Sequence, residues 1–133
     1  MKRALIALGA IILLVALAGV AMQQLSGRPI SADLSLVGQG QPALVMAFEN
    51  YSPASMDAMD QLNRVRPDYE ARVHFLVADL GTPHGSDFAA RFELVNGTAV
   101  LLDGTGEPVR VYPLREGADE LRRALERDLA ALR

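Results

Sequence analysis

The residues that invite a chemical reading are Ser52 and Ser55. They stand three apart in Glu49-Asn50-Tyr51-Ser52-Pro53-Ala54-Ser55-Met56-Asp57, between an apolar run and an amphipathic one. A serine hydroxyl becomes a nucleophile only with a base within hydrogen-bond reach, and the sequence offers two imidazoles, His74 and His84. His74 lies inside a strand-like run, where a satisfied, partly buried histidine is the commoner case. His84 lies in Thr82-Pro83-His84-Gly85, expected to be a loop. There is no Gly-x-Ser-x-Gly elbow to expose a nucleophile. Ser52 is more simply a helix N-cap, with Pro53 in the first helical position.

Other constellations are weaker. Asp79, His84 and Asp87 fall near one sheet end, but neither their count nor their spacing matches a metal-ligand pattern, and they are expected to be loop residues around a helix start. Met56 and Met59 are expected to fill core on a helix rather than to bind a soft metal. Gly81, Gly85, Gly97, Gly104 and Gly106 are expected to be dispersed turn residues, not a phosphate cradle. No metal and no cofactor is expected. The chain has no cysteine, which excludes thiol chemistry, a disulfide staple and a lipidated cysteine.

The elements that would position these residues follow from periodicity. Ala43–Phe48 is almost continuously apolar, as in a strand covered on both faces, and Val73–Ala78 repeats that pattern apart from His74. Between them Met56, Met59, Leu62 and Val65, with Ala58, give a helix one apolar side. Ser86 is expected to cap a helix over Asp87–Phe92. Thr98–Leu102 predicts a third strand, and Asp103-Gly104-Thr105-Gly106 supplies a turn before a fourth at Val109–Leu114. From Ala118 onward, Leu121, Leu125, Leu129 and Leu132 trace a stripe along a closing helix, whose other face carries Glu120, Arg123, Glu126 and Arg127. Leu34–Val37 has room only for a short edge strand before the break at Gly38-Gln39-Gly40-Gln41-Pro42. The order β-α-β-α-β-β-α implies a mixed sheet with helices on both faces.

The N-terminus is different in kind. Lys2 and Arg3 precede Ala4–Met22, a stretch without a charge, so residues 1–22 predict a membrane anchor or a signal peptide. Ala16-Leu17-Ala18 and Gly19-Val20-Ala21 resemble cleavage sites, but the length favours a spanning helix. The leading positive charges predict a cytoplasmic N-terminus, a single pass through the cytoplasmic membrane and a periplasmic or extracellular C-terminal part. Residues 23–33 are expected to be a linker and 34–133 the folded domain. Residues 23–133 carry 11 arginines against 16 acidic residues, a formal charge of −5. Nucleic-acid binding through a basic surface is not expected.

In this frame residues 34 to 132 resemble a thioredoxin-family domain. The resemblance rests on the order of elements and on Ala43-Leu44-Val45-Met46-Ala47-Phe48-Glu49-Asn50-Tyr51-Ser52-Pro53-Ala54-Ser55, which is similar to the family's strand, aromatic residue and Cys-x-x-Cys turn. Ser52 and Ser55 stand where the cysteines would be. The resemblance implies an α/β fold, thioredoxin-like, with a central mixed sheet of four or five strands flanked by helices, preceded by the N-terminal helix. It also marks departures. Met46 occupies the place of a buried acid, and the place of the family's cis-proline falls on Thr98, or on Gly97 with a one-residue shift. A helix N-terminus lowers a thiol pKa enough to matter, but an alcohol starts too high for the same field to ionise it.

The family uses the equivalent surface as a shallow groove for a peptide. Here Tyr51, Ser52, Pro53, Ala54, Ser55 and Met56, together with Asn96, Gly97 and Thr98, are expected to keep such a groove. The expected function is a membrane-anchored, redox-inactive interaction, assembly or chaperone-like module with an exported or membrane-associated protein partner. An alternative implied by the resemblance is a glutathione-transferase-like enzyme in which the Ser52 hydroxyl is a donor. Another is a structural subunit held in a complex by its N-terminal helix.

Overall fold

A computed structural model describes residues 1–26 and 28–132, without the side chains of 22–26. Helix α1 covers Lys2–Ser26, and its stretch Lys2–Ala21 is long and apolar enough to cross a membrane, with none of that stretch buried against protein. Such a segment serves equally as an anchor or as a signal sequence.

The domain that follows is built on four strands, β1 (Ala43–Phe48), β2 (His74–Asp79), β3 (Thr98–Leu102) and β4 (Pro108–Pro113), in the order β2-β1-β3-β4. β1 is parallel to β2 and antiparallel to β3, which pairs antiparallel with β4. Helix α2 (Pro53–Tyr69) makes the crossover from β1 to β2, α3 (Pro83–Arg91) follows β2, and α4 (Ala118–Ala130) closes the chain. Because β1 is an inner strand, both its faces need apolar cover, which its unbroken run supplies. Leu44 and Met46 join Leu62, Val65, Leu101 and Leu125 in the core on the α2/α4 side. Ala43, Val45 and Ala47 join Leu76, Phe88 and Val100 on the α3 side. Edge strand β4 has water on one side, and Val109 and Val111 stay exposed while Tyr112 is buried.

Several boundaries differ from the sequence expectations. Helix α3 begins at Pro83 with Thr82 as its cap, four residues before the expected Ser86-capped start at Asp87. The Thr82 hydroxyl oxygen accepts from Gly85 N–H at 3.1 Å, so His84 is helical rather than in a loop. Gly85 is not a turn glycine either. It is buried in α3, where a Cβ would lie 2.0 Å from the carbonyl oxygen of Asp79. Leu34–Leu36 is a 3-10 turn capped by the Asp33 carboxylate, not an edge strand. The place beside β2 is taken instead by Ser31, in an isolated parallel bridge to Leu76. Met56 is 53% exposed and does not fill core, whereas Met59 is half-buried against it. Leu132 lies beyond α4 and is exposed.

The end of α4 is fastened to β4 through a buried acid. Asp128 Oδ2 accepts from Tyr112 Oη at 2.6 Å and from Arg110 Nε at 2.9 Å. Burial alone would push the Asp128 carboxyl up, but hydrogen bonds from Tyr112 and Arg127 and the charges of Arg110 and Arg127 together hold it below the usual carboxylate range. The same burial and the same carboxylate push the Tyr112 phenol well above its ordinary value.

Candidate functional site

Two turns meet at the end of the sheet where β1 stops. The first runs Glu49–Ser52, closed by Ser52 N–H donating to the Glu49 carbonyl at 3.4 Å. The second runs Val95–Thr98, closed by Thr98 N–H on the Val95 carbonyl at 3.2 Å. In each, the third residue has a positive φ, Tyr51 at 63° and Gly97 at 82°. Glycine takes that conformation freely, while a side chain there is strained by about 1–2 kcal/mol.

The serines are joined by a third residue. Ser52 caps α2, its oxygen accepting from Ser55 N–H at 3.4 Å. Asn96 Nδ2 donates to Ser52 Oγ at 2.7 Å, while Ser55 Oγ donates to Asn96 Oδ1. Ser55, fully buried, also accepts from Glu49 N–H at 2.9 Å. One carboxamide thus uses both its donor and its acceptor to tie together the hydroxyls at the two ends of Ser-Pro-Ala-Ser. The clasp satisfies Ser55, a polar group whose burial without partners would be costly.

Gly97 completes the frame. Its N–H donates to the Ala47 carbonyl of β1 and its carbonyl accepts from Leu114 N–H, both at 3.2 Å. A Cβ at Gly97 would face the Ala54 carbonyl at 3.7 Å. Thr98 starts β3 opposite Pro113, and no cis peptide bond occurs among the described residues. Met46, at the acid's expected place, is fully buried in the α2/α4 core.

All nine residues expected to form the groove lie at this one end of the sheet. Ser55 is sealed within it, and Tyr51, Pro53, Ala54 and Met56 are exposed on its surface. Tyr51 is 101% exposed, its ring resting on nothing. Val95, the first residue of the second turn, is also exposed and is not among the residues expected at the groove. The role of Asn96 was not visible either. The dipeptide Asn96-Gly97 marks a turn, but nothing local says where its carboxamide reaches.

Neither imidazole is hydrogen-bonded to Ser52 among the described residues. His74 opens β2 opposite Ala43, at the far end of the strands, and His84 sits on α3 in a cleft with Asp33, Asp87 and Arg91. A Ser–His pair of the hydrolase kind is therefore not formed at this turn. Among the described residues no three carboxylates or imidazoles are grouped to hold a metal ion.

No family model and no curated protein matches the sequence. Solved structures do. A thioredoxin from Thermus thermophilus superposes with a TM-score of 0.59 at 22% identity, over 74% of this chain and 82% of that one. Trxlp from Edwardsiella tarda gives 0.57 at 17% identity, over 66% and 84%. Malaria parasite thioredoxin-2 gives 0.57 at 15% identity, over 65% and 82%. The fold is thioredoxin-like.

The sequence resemblance puts Ser52 and Ser55 in the place of the thioredoxin family's dithiol, and in this chain they are the two hydroxyls that the clasp joins. Where the frame offers a thiolate the field of a helix N-terminus, this chain offers an alcohol already engaged as a cap and as an acceptor for Asn96. The arrangement can hold a shape and present a surface. With no cysteine in the chain, thiol–disulfide exchange at this turn has no sulfur to carry it.

Proposed function

We propose that this chain is a redox-inactive thioredoxin-like interaction module, held at a membrane by α1, that captures a polypeptide segment of another exported or membrane-associated protein. The capturing surface is Tyr51, Pro53, Ala54 and Met56, with the Asn96-Gly97-Thr98 turn alongside. The observation that carries this proposal is Tyr51. A fully exposed aromatic ring held in a left-handed backbone conformation gains nothing from packing, and strain kept without structural return is characteristic of binding sites. Confinement beside a bilayer raises the effective concentration toward a membrane-bound partner, so a weak contact suffices. One structural neighbour, malaria thioredoxin-2, is described as a component of protein secretion machinery, in keeping with a role in assembly.

The test is photo-crosslinking from position 56 in intact membranes, with Ala54→Arg as control. A specific adduct that Ala54→Arg and Tyr51→Ala abolish, with folding intact, supports the module. Capture unaffected by either substitution overturns it.

A second role for Ser52 has one observation in its favour. Its oxygen accepts two hydrogen bonds, and its proton remains available to a ligand. A glutathione-transferase-like enzyme would use that proton toward a thiolate. Against it, both backbone groups of Gly97 are engaged within the domain. Calorimetry with glutathione decides, since such an enzyme binds it and loses binding on Ser52→Ala.

A further inference from the structure

We infer that α1 joins the domain at the end of the sheet opposite the Ser52–Asn96–Ser55 clasp, through a connection with almost no slack, so that the capturing surface points away from the bilayer and meets its partner in the aqueous phase. This rests on the proposed anchoring role of α1 and gives the partner a class: a water-exposed segment of polypeptide, not a membrane-spanning helix.

Three observations fix the attachment. Ser31 runs parallel to β2 beside Leu76, with Val77 N–H donating to the Ser31 carbonyl at 2.9 Å. Leu76 is in register with Val45, midway along β1, so residues before Ser31 lie toward the strand starts and away from the clasp. Independently, the carbonyl of Arg28 accepts from Arg66 Nη2 at 2.7 Å. Arg66 is a buried residue near the end of α2, and α2 sets out from the clasp and returns to the strand starts. Ile30, between these two fastenings, packs against the core on the α2/α4 side.

The stretch expected to be a linker is therefore bound to the domain from Arg28 onward. Only Gly27 separates Ser26, the last residue of α1, from Arg28, and two Cα steps reach at most about 7 Å. Helix α1 continues five residues past Ala21, where the apolar span ends, a rise of about 7.5 Å. From the level of the strand starts, the six residues of β1 carry the clasp about 20 Å further out. The turn at Glu70–Arg72 and the hairpin turn at Asp103–Glu107 then lie nearest the headgroups.

The cysteine-free sequence allows single-thiol probes without background. The full chain, carrying Ala71→Cys at the attachment end or Val95→Cys beside the clasp, is labelled with a fluorophore and reconstituted in phosphatidylcholine vesicles containing a headgroup-nitroxide lipid. The expected result is several-fold stronger quenching at position 71 than at 95. Equal quenching, or the reverse order, in protein that stays with the vesicles through carbonate extraction overturns the orientation. Release of the protein by carbonate overturns the anchoring role itself, and is read separately from the quenching.

Discussion

Asn96 donates to Ser52 across 44 residues of chain, at 2.7 Å, and its other amide atom accepts from Ser55. The turn before β3 and the start of α2 are thereby one unit, although neither touches the other through backbone hydrogen bonds at that point. Asn96→Ala leaves the buried Ser55 hydroxyl without its acceptor and should cost about 2–3 kcal/mol, against about 1 kcal/mol for the lost cap in Ser52→Ala. The double variant should cost less than the sum. Urea midpoints of the three variants check this.

Tyr51 offers a separation of stability from function. Tyr51→Gly relieves the left-handed strain and should raise stability by about 0.5–1 kcal/mol, while Tyr51→Ala keeps the strain and should not. Both should lose partner capture. A protein made more stable and less able to bind by one substitution would show that the strain is kept for the ring.

Gly85 is the opposite case, a position where any side chain collides with fixed backbone. A Cβ there lies 2.0 Å from the Asp79 carbonyl oxygen and 2.5 Å from its nitrogen. Gly85→Ala should cost about 3 kcal/mol or more, at the upper end of overpacking penalties, and shift α3 away from β2. Thermal unfolding of the variant is the measurement.

The pH dependence follows from the fastening of α4. The Asp128 carboxyl is held below its ordinary value in the folded state, so its stabilisation is complete above the ordinary carboxylate pKa and is lost as pH falls through the lowered one. At the alkaline end, burial and hydrogen bonding to Glu126 raise the Tyr69 phenol to about 12, and Tyr112 lies higher still. Their stabilisation is complete below the ordinary phenol pKa of about 10 and is lost as pH rises toward the folded values. Urea midpoints should fall at both extremes, and Asp128→Ala should cost about 2–3 kcal/mol at neutral pH and flatten the acid limb.

Introducing one sulfur tests the field at the helix start. In Ser52→Cys the thiol meets the N-terminus of α2 and the Asn96 amide donor, and should titrate below the ordinary thiol value of about 8.5. The pH profile of its alkylation rate reads this directly. An ordinary profile would mean that the helix start exerts no useful field at this position.

The strands were legible wherever burial on both faces leaves an unbroken apolar run, so Ala43–Phe48 and Thr98–Leu102 fall where the pattern puts them. Helix α2 was legible as an element but not in detail. Residues at spacings of three, such as Met56, Met59, Leu62 and Val65, drift around a helix of 3.6 residues per turn and cannot all face one core. The buried line runs instead through Ser55, Ala58, Leu62, Val65 and Tyr69, and its first member is polar. At α3, Thr82-Pro83 and Ser86-Asp87 are competing start signals, and the earlier one coincides with the close seating of Gly85 on Asp79. The placing of the candidate surface came from the order of elements around the two serines. The clasp did not, because the carboxamide of Asn96 reaches it only after β3 is laid against β1. The bridge of Ser31 to β2 is a single residue long and leaves no period to detect.

A dithiol at this turn would have two states and would answer to the reduction potential around it. The amide clasp has one. The protein should therefore present the same face under oxidising and reducing conditions, and its attachments should be set by where its partners are and not by which electrons are available.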